Sequence, residues 1–337
     1  MIVLGIETSC DDTAAALLKG ESSVLANVIS NQDSIHLRFG GIVPELASRQ
    51  HMESITIVVN EALAQAQLEL SDIDLISVTQ GPGLIGSLLV GFSYAKSVSH
   101  TLEIPFVGVD HMVGHLLSAF LEHRVPSFPY IALIVSGGTT ALFKVKNFDD
   151  FTLLGATRDD AAGEVFDKIA RYLKLGYPGG PIVSQHAIDG DGQSVSLPRA
   201  WLEEGSLDFS FSGLKTSVLN HCHKIEQRQV LSNQHISDTC AAFQQAVVDV
   251  LVQKTITAVQ MHDIDTVVLG GGVSANNCLR RQMAENCDKN KLNLYLPAIE
   301  NCTDNGAMIA FAGLQKFLSG ETGQIDDDVF SRSHLGR

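Results

Sequence analysis

The sequence predicts an α/β protein built from two lobes that use one βββαβαβα order twice. Three observations carry this. The chain has 337 residues, enough for two cores of ordinary size. Its first third runs strand, strand, strand, helix, strand, helix, strand. The same order restarts at Tyr130.

Taken in order, Ile2 to Glu7, Ala14 to Lys19 and Val24 to Ser30 read as strands, separated by the turn-rich stretch Thr8 to Thr13 and by Gly20-Glu21-Ser22. Three consecutive strands suggest an antiparallel meander. Pro44-Glu45 opens a helical pattern to about Gln67, with proline at a first helical position and an acidic residue in the first turn. A strand at Leu75 to Thr79 follows, then the turn Gly81-Pro82-Gly83, a helix to about Leu102 and a strand at Phe106 to Val109.

In the second half, strands are expected near Ile131 to Val135, Ala141 to Val145 and Thr152 to Leu154, followed by a helix from Asp160 to Tyr172. Further on lie a helix ending at His262, a strand Thr266 to Leu269, a helix from Ala275 and a strand Leu292 to Leu296. The clearest trace of duplication sets Val3 to Ser9 against Leu133 to Thr139, each an apolar strand running into a tight polar turn. We expect one lobe from 1–128 together with 304–337, whose helix packs back, and a second lobe from 129–303. Duplicated lobes of this kind suggest the split nucleotide-binding fold of actin, Hsp70 and sugar kinases, with ligand in an interlobe cleft.

Composition narrows the function. A net charge of −15 argues against broad autonomous attraction to a polyanion, so a nucleic-acid substrate needs help from a partner. Arg280-Arg281 and Lys215 are local exceptions, and the bland reading of each is solvated surface. The six cysteines contain no CxxC pair, which suggests reduced thiols in a cytoplasm-like compartment. Met1 leads directly into an apolar run without a basic leader, and no apolar run reaches membrane-spanning length, so a cytoplasmic protein with no membrane partner is expected.

Three glycine-rich turns, Ser136-Gly137-Gly138, Pro178-Gly179-Gly180 and Gly270-Gly271-Gly272, read as following apolar strands. Glycine allows backbone N–H groups to approach a phosphate or base without Cβ obstruction, although such turns also use glycine for geometry alone. Together they favour a nucleotide, with Gly270 to Gly272 cradling adenosine and the Asn276 amide available for polar contact.

His111 and His115 stand at i and i+4, on one helical face, where two imidazoles can meet one metal. An isolated HxxxH is better explained by two histidines satisfied by their neighbours. What raises the metal reading is the polar turn Cys302 to Gly306, which opens an apolar helix and could place Asp304 at the same site; the competing role of Asp304 is helix capping. Two histidines and a carboxylate suit iron(II) or zinc and leave positions open for substrate. A zinc peptidase of the HExxH type would need glutamate after the first histidine, and Met112 stands there.

Glu7, Asp11 and Asp12 lie at the expected cleft floor, where carboxylates can orient a nucleophile or accept a proton; turn formation is their alternative. Asp167-Lys168 falls on a helical pattern expected to face the same region, against the alternative of a solvated helix face.

Six separated motifs, Gly5 to Asp11, Gly41 to Arg49, His111 to His115, Gly163 to Lys168, Phe209 to Thr216 and Cys302 to Met308, closely resemble the TsaD (Gcp/YgjD) family, the tRNA N6-adenosine threonylcarbamoyltransferases. The resemblance spans nearly the whole chain. It implies transfer of a threonylcarbamoyl group from threonylcarbamoyl-AMP to N6 of the adenosine 3′ of the anticodon in tRNAs reading codons that begin with A, releasing AMP. By matching position it implies that His111, His115 and Asp304 bind one divalent metal per subunit, iron(II) first and zinc second. It further implies that Ile134, Val135, Ser136, Gly137, Gly138, Asp167, Gly180 and Asn276 hold the donor. Asp11 and Asp12 are the catalytic candidates, and TsaB, TsaE and a TsaC-type enzyme that supplies the donor are the implied partners. Three departures from the family pattern are Asp12 in place of glutamate, Thr139 in place of histidine and Ser184 where an acidic or other polar residue often contacts ribose. The alternative function is an ATP-dependent phosphotransferase or ATPase of the same fold, which would share the glycine turns and Asp11 without needing the His-His-Asp set.

Overall fold

The structure is a computed structural model that describes residues 1–333 and Leu335. It divides into two compact units, each described by itself: 1–125 with 147–150 and 297–337, and 126–146 with 151–296. The division falls at 296/297 where the sequence suggested 303/304. Residues 334, 336 and 337 of the expected first lobe lie outside the described residues.

In the first unit β1 (Ile2–Glu7), β2 (Thr13–Lys19) and β3 (Ser23–Ser30) form the expected meander, with β1 antiparallel to β2 and β2 to β3. A short helix α1 (Asp33–His36) precedes α2 (Pro44–Ala66), which has proline in its first turn. Then come β4 (Leu75–Gly81), α3 (Ile85–Leu102), β5 (Phe106–Asp110) and α4 (His111–Leu117). β4 pairs in parallel with both β1 and β5, giving a sheet of order β3-β2-β1-β4-β5.

The second unit repeats the plan. β6 (Tyr130–Val135), β7 (Thr140–Val145) and β8 (Phe151–Ala156) form a second meander, followed by α5 (Ala162–Tyr172), α6 (Gly179–Ala187), α7 (Ser212–Glu226) and α8 (Asn233–His262). β9 (Thr266–Gly270), α9 (Asn277–Asn290) and β10 (Asn293–Tyr295) complete it. The sheet order, β10-β9-β6-β7-β8, is the first order read from the other edge. The central strands β1, β4, β6 and β9 are buried along nearly their whole length, as strands at a parallel centre are.

The duplication is therefore real, but its register differs from the expected one by two residues. Glu7 pairs with Ala14 and Val135 with Thr140 as the last rungs of their hairpins, so Glu7 corresponds to Val135 and not to Gly137. The first hairpin turn is longer, and that extra length carries Asp11 and Asp12.

The chain returns to the first unit through α10 (Ile299–Cys302) and α11 (Gly306–Leu318). α11 packs on β1, β2 and β4, and its first residue must be glycine-sized: a Cβ on Gly306 would come within 2.5 Å of the Ala16 nitrogen. Leu4, Ile6, Leu17, Val59, Ile76 and Val78 fill the core between the first sheet and α2 and α3. The second unit's core includes Phe166 against Phe243, ring centroids 4.9 Å apart at 70°.

Candidate metal centre and nucleotide pocket

The end of β5 delivers the two histidines. Asp110 caps α4 by accepting the Met112 N–H at 2.9 Å, which starts the helix at His111 and puts His111 and His115 on one face, ring centroids 4.7 Å apart. Asp304 arrives from the turn before α11. The capping role that competed for Asp304 belongs instead to its neighbour: Asn305 Oδ1 accepts the Met308 N–H at 2.9 Å. Asp304 is thereby left free to face the imidazoles, with Oδ1 at 3.5 Å from His111 Nε2 and 3.1 Å from His115 Nε2.

The ligand atoms of these three residues lie within 4.8 Å of one another. Ligands at about 2.0–2.2 Å from a first-row metal stand about 3–3.5 Å apart when adjacent, so the spacing fits such an ion. The donor set of two nitrogens and one oxygen fits zinc or iron.

Glu7 completes the arrangement. It is fully buried, and its Oε2 accepts the His111 Nδ1–H at 2.9 Å and the Thr79 hydroxyl at 2.6 Å, while Oε1 accepts the Ser9 N–H. A carboxylate on the far nitrogen fixes the tautomer that turns Nε2 toward a metal. His115 Nδ1 has no such partner among the described residues, so the two imidazoles are not equivalent. Glu7 thus serves His111, where the sequence grouped it with Asp11 and Asp12.

Burial opposes a charge on His111, but Asp304 and then Glu7 outweigh it and hold its pKa at about 9. Burial likewise works against ionised Asp304 and Glu7, and the facing imidazoles keep both below the usual carboxylate range. Asp12 has no such cation. Burial first, then Asp304 and Asp11, push it up to about 8, and burial also raises Asp11. Glu7 and Asp304, both ionised against one imidazolium, leave an excess of negative charge that a divalent cation would neutralise.

The turn that carries Asp11 and Asp12 is pinned by a residue the sequence reading missed. His51 is fully buried; its Nε2–H donates to the Cys10 carbonyl at 3.0 Å and its Nδ1 accepts the Thr13 hydroxyl at 2.8 Å. The signal was present, because His51 stands in the apolar stripe Ala47, Ile55, Val58, Ala62 of α2, where a histidine must be satisfied internally.

In the second unit a cavity of about 850 Å³ has Gly137, Asp167, Gly180 and Asn276 of the expected donor residues on its wall. The side chains of Ile134 and Val135 are fully buried on opposite faces of β6, so any contact they make with a ligand runs through their backbone. Ser136 and Gly138 are not on the cavity wall; Ser136 Oγ accepts the Thr139 N–H at 3.0 Å and shapes the turn.

All three glycine turns lie in this unit. The middle one does not follow a strand. Pro178-Gly179-Gly180 begins α6, tied to α5 by the Gly179 N–H donating to Asp167 Oδ1 at 2.7 Å. Asp167 is therefore not a solvated helix residue, whereas Lys168 pairs with Asp160 and Glu164 at 2.7 and 2.8 Å. Lys215 also pairs with Asp160 at 2.7 Å.

Gly271 holds φ +83°, and a Cβ there would come within 2.5 Å of the Val135 carbonyl oxygen. The helix expected from Ala275 begins at Asn277, after a 3-10 turn over Gly272–Ala275. Asn276 is its cap, and its amide is not idle: Oδ1 accepts the Leu279 N–H at 3.0 Å, and Nδ2 donates to Ser184 Oγ and Gln244 Oε1, both at 2.9 Å.

No helix among the described residues is long and apolar enough to cross a membrane, and none of the six cysteines is in a disulfide.

The five-stranded sheet used twice in one order, with glycine turns at the strand and helix junctions of the second unit, defines the class: a duplicated α/β protein of the actin, Hsp70 and sugar-kinase type. Solved structures agree on the fold. HypF from T. kodakarensis superposes with a TM-score of 0.62 at 14% identity, over 95% of this chain and 48% of that longer one. The activator of the 2-hydroxyisocaproyl-CoA dehydratase from Clostridium difficile, with bound ADPNP, gives 0.52 at 14% identity over 97% and 100%.

Sequence comparison is more specific. A family model described as TsaD, tRNA N6-adenosine threonylcarbamoyltransferase, matches residues 23–311. A tRNA N6-adenosine threonylcarbamoyltransferase of Desulfotalea psychrophila is 58% identical over 337 residues, covering 100% of this chain and 98% of the relative. One of Clostridioides difficile is 49% identical over 324 residues, covering 96% and 95%. The chain belongs to the TsaD family.

Proposed function

We propose that this protein transfers a threonylcarbamoyl group from threonylcarbamoyl-AMP to N6 of the adenosine 3′ of the anticodon, in tRNAs that read codons beginning with A. The observation that carries this reading is the convergence of His111, His115 and Asp304, with Glu7 behind His111, in a chain that matches the threonylcarbamoyltransferases over its full length.

The N6 amine attacks the carbamoyl carbonyl, the bond from that carbon to the phosphate oxygen breaks, and AMP leaves with the electron pair. The amine's proton must be taken up. Asp11 and Asp12 are the candidates; a bound divalent ion would offset the Asp304 and Glu7 charges that help raise Asp12 to about 8 in the metal-free fold, and so favour the ionised carboxylate that can accept a proton. Gly137, Asp167, Gly180 and Asn276 line the pocket for the adenylate end, with the backbone turns fixing its geometry. His111, His115 and Asp304 would hold one divalent ion, iron(II) or zinc, which when bound supplies a Lewis acid for phosphate or carbonyl oxygens.

The net charge of −15 supports a shared tRNA surface, with TsaB as a dimer partner, TsaE as an accessory and a TsaC-type enzyme as source of the donor, all in the cytoplasm. The test is reconstitution with those partners, donor and unmodified tRNA, with nucleosides analysed by mass spectrometry. Modified adenosine from the wild type and none from His111→Ala is expected. No modification by the wild type, with ATP hydrolysed instead, would favour a phosphotransferase.

A further inference from the structure

Gln244 lies on the wall of the second unit's cavity, on α8, and no motif drew attention to it. Its orientation is fixed by a chain of donors that starts from the backbone. The Leu279 N–H, at the first turn of α9, can only donate, so the Asn276 atom facing it at 3.0 Å must be the amide oxygen. Asn276 Nδ2 is then turned the other way, toward Ser184 Oγ and Gln244, each at 2.9 Å. Both of its hydrogens are committed there, so the Gln244 atom it meets must be the carboxamide oxygen. The Ser184 hydroxyl, accepting from Asn276, donates to the same oxygen at 2.8 Å.

With Oε1 held by two donors, the Gln244 carboxamide cannot flip without setting NH2 against NH2. Its Nε2 has no protein partner among the described residues.

Resting on the reading that this cavity holds the adenylate, we propose that Gln244 is a ligand-binding residue that presents a fixed hydrogen-bond donor to an acceptor on the nucleoside, a ribose oxygen or an adenine ring nitrogen. Ser184 and Asn276 are positioning residues for it. A site that offers a donor rejects a ligand lacking the matching acceptor, because the amide that the ligand covers is then left unpaired.

The experiment uses the full-length chain and neutral adenosine, measured by calorimetry, with AMP as a second probe. Gln244→Glu keeps an oxygen for Ser184 and Asn276 but replaces the donor by an acceptor; Gln244→Met removes both. Both substitutions are expected to weaken adenosine binding about three- to tenfold, the effect of losing one neutral hydrogen bond. Analogues lacking the 2′-hydroxyl, the 3′-hydroxyl or a single ring nitrogen identify the acceptor: the one that matters binds the wild type more weakly by that same factor and loses nothing further in Gln244→Glu. Unchanged adenosine affinity in Gln244→Glu would overturn the assignment and leave Gln244 a structural acceptor. Failure of the wild type to bind either adenosine or AMP would overturn the nucleotide reading itself, and the assignment with it.

Discussion

Metal uptake by this protein should be a proton-releasing event, and Glu7 should set its pH dependence. Between Asp304 and Glu7 the His111 imidazole is held at about 9, so in the metal-free protein at pH 7 it carries a proton on the nitrogen that would bind the ion. Displacing that proton over two pH units costs about 3 kcal/mol, or about 100-fold in apparent affinity. The sign follows from the direction of the shift. The imidazolium is favoured at every pH below about 9, so affinity should rise tenfold per pH unit up to that point and then level.

Removing the Glu7 charge with Glu7→Gln has two opposed effects. The proton is held less tightly, which flattens the slope between pH 7 and 9. The loss of the orienting carboxylate lowers affinity about 10- to 100-fold where proton competition is absent. The assay is calorimetric titration with zinc in two non-coordinating buffers of different ionisation enthalpy, which counts released protons, repeated across that pH range. About one proton released at pH 7 is expected from the wild type and clearly fewer from Glu7→Gln. Zinc binding by the wild type without proton release, or an identical slope in the variant, would refute the coupling of Glu7 to His111.

Other expectations follow from the same structure. Asp12, near 3.8 in the unfolded chain and at about 8 in the metal-free fold, opposes folding increasingly as pH rises from 4 to 8. Asp12→Asn should therefore raise metal-free stability by a few kcal/mol, on the order expected for a shift of that size, at pH 8 and by almost nothing at pH 4, as read by urea denaturation. Glu122 Oε1 accepts the Ala298 N–H at 2.7 Å and Asn301 Nδ2 at 3.0 Å, fixing the turn that leads to Asp304. Glu122→Ala should weaken zinc binding about tenfold and Glu122→Gln, which keeps the acceptor, should restore it; equal binding by all three proteins would remove Glu122 from the metal centre. Gly271→Ala places a side chain at φ +83° against the Val135 carbonyl and should cost about 2–4 kcal/mol of stability, checked by chemical denaturation, together with adenosine binding.

Much of the fold was legible because apolar period and turn chemistry are local properties. The central strands announce themselves as continuous apolar runs, Pro44 marks the start of α2, and the restart of the order at Tyr130 reveals the repeat. The spacing of His111 and His115 is likewise local, since one helical turn puts both on one face. What the sequence could not contain is which of several capable groups meets which. Asp304 and Asn305 can each cap a helix, and only the approach of α11 to α4 decides that Asn305 caps while Asp304 faces the imidazoles. Glu7 was visible as a carboxylate, yet its partner stands 104 residues away. Ile134 and Val135 resemble binding residues by motif, but their burial is settled by the helices packed over β6. Gln244 and Asn276 stand 32 residues apart, and their pairing exists only because α8 and α9 pack side by side. By itself the sequence determined the elements, their duplication and the chemical types at the candidate metal centre, because these follow from periodicity and spacing along the chain. The tertiary structure alone decided hydrogen-bond partners and burial, because both depend on distances that chain order does not set.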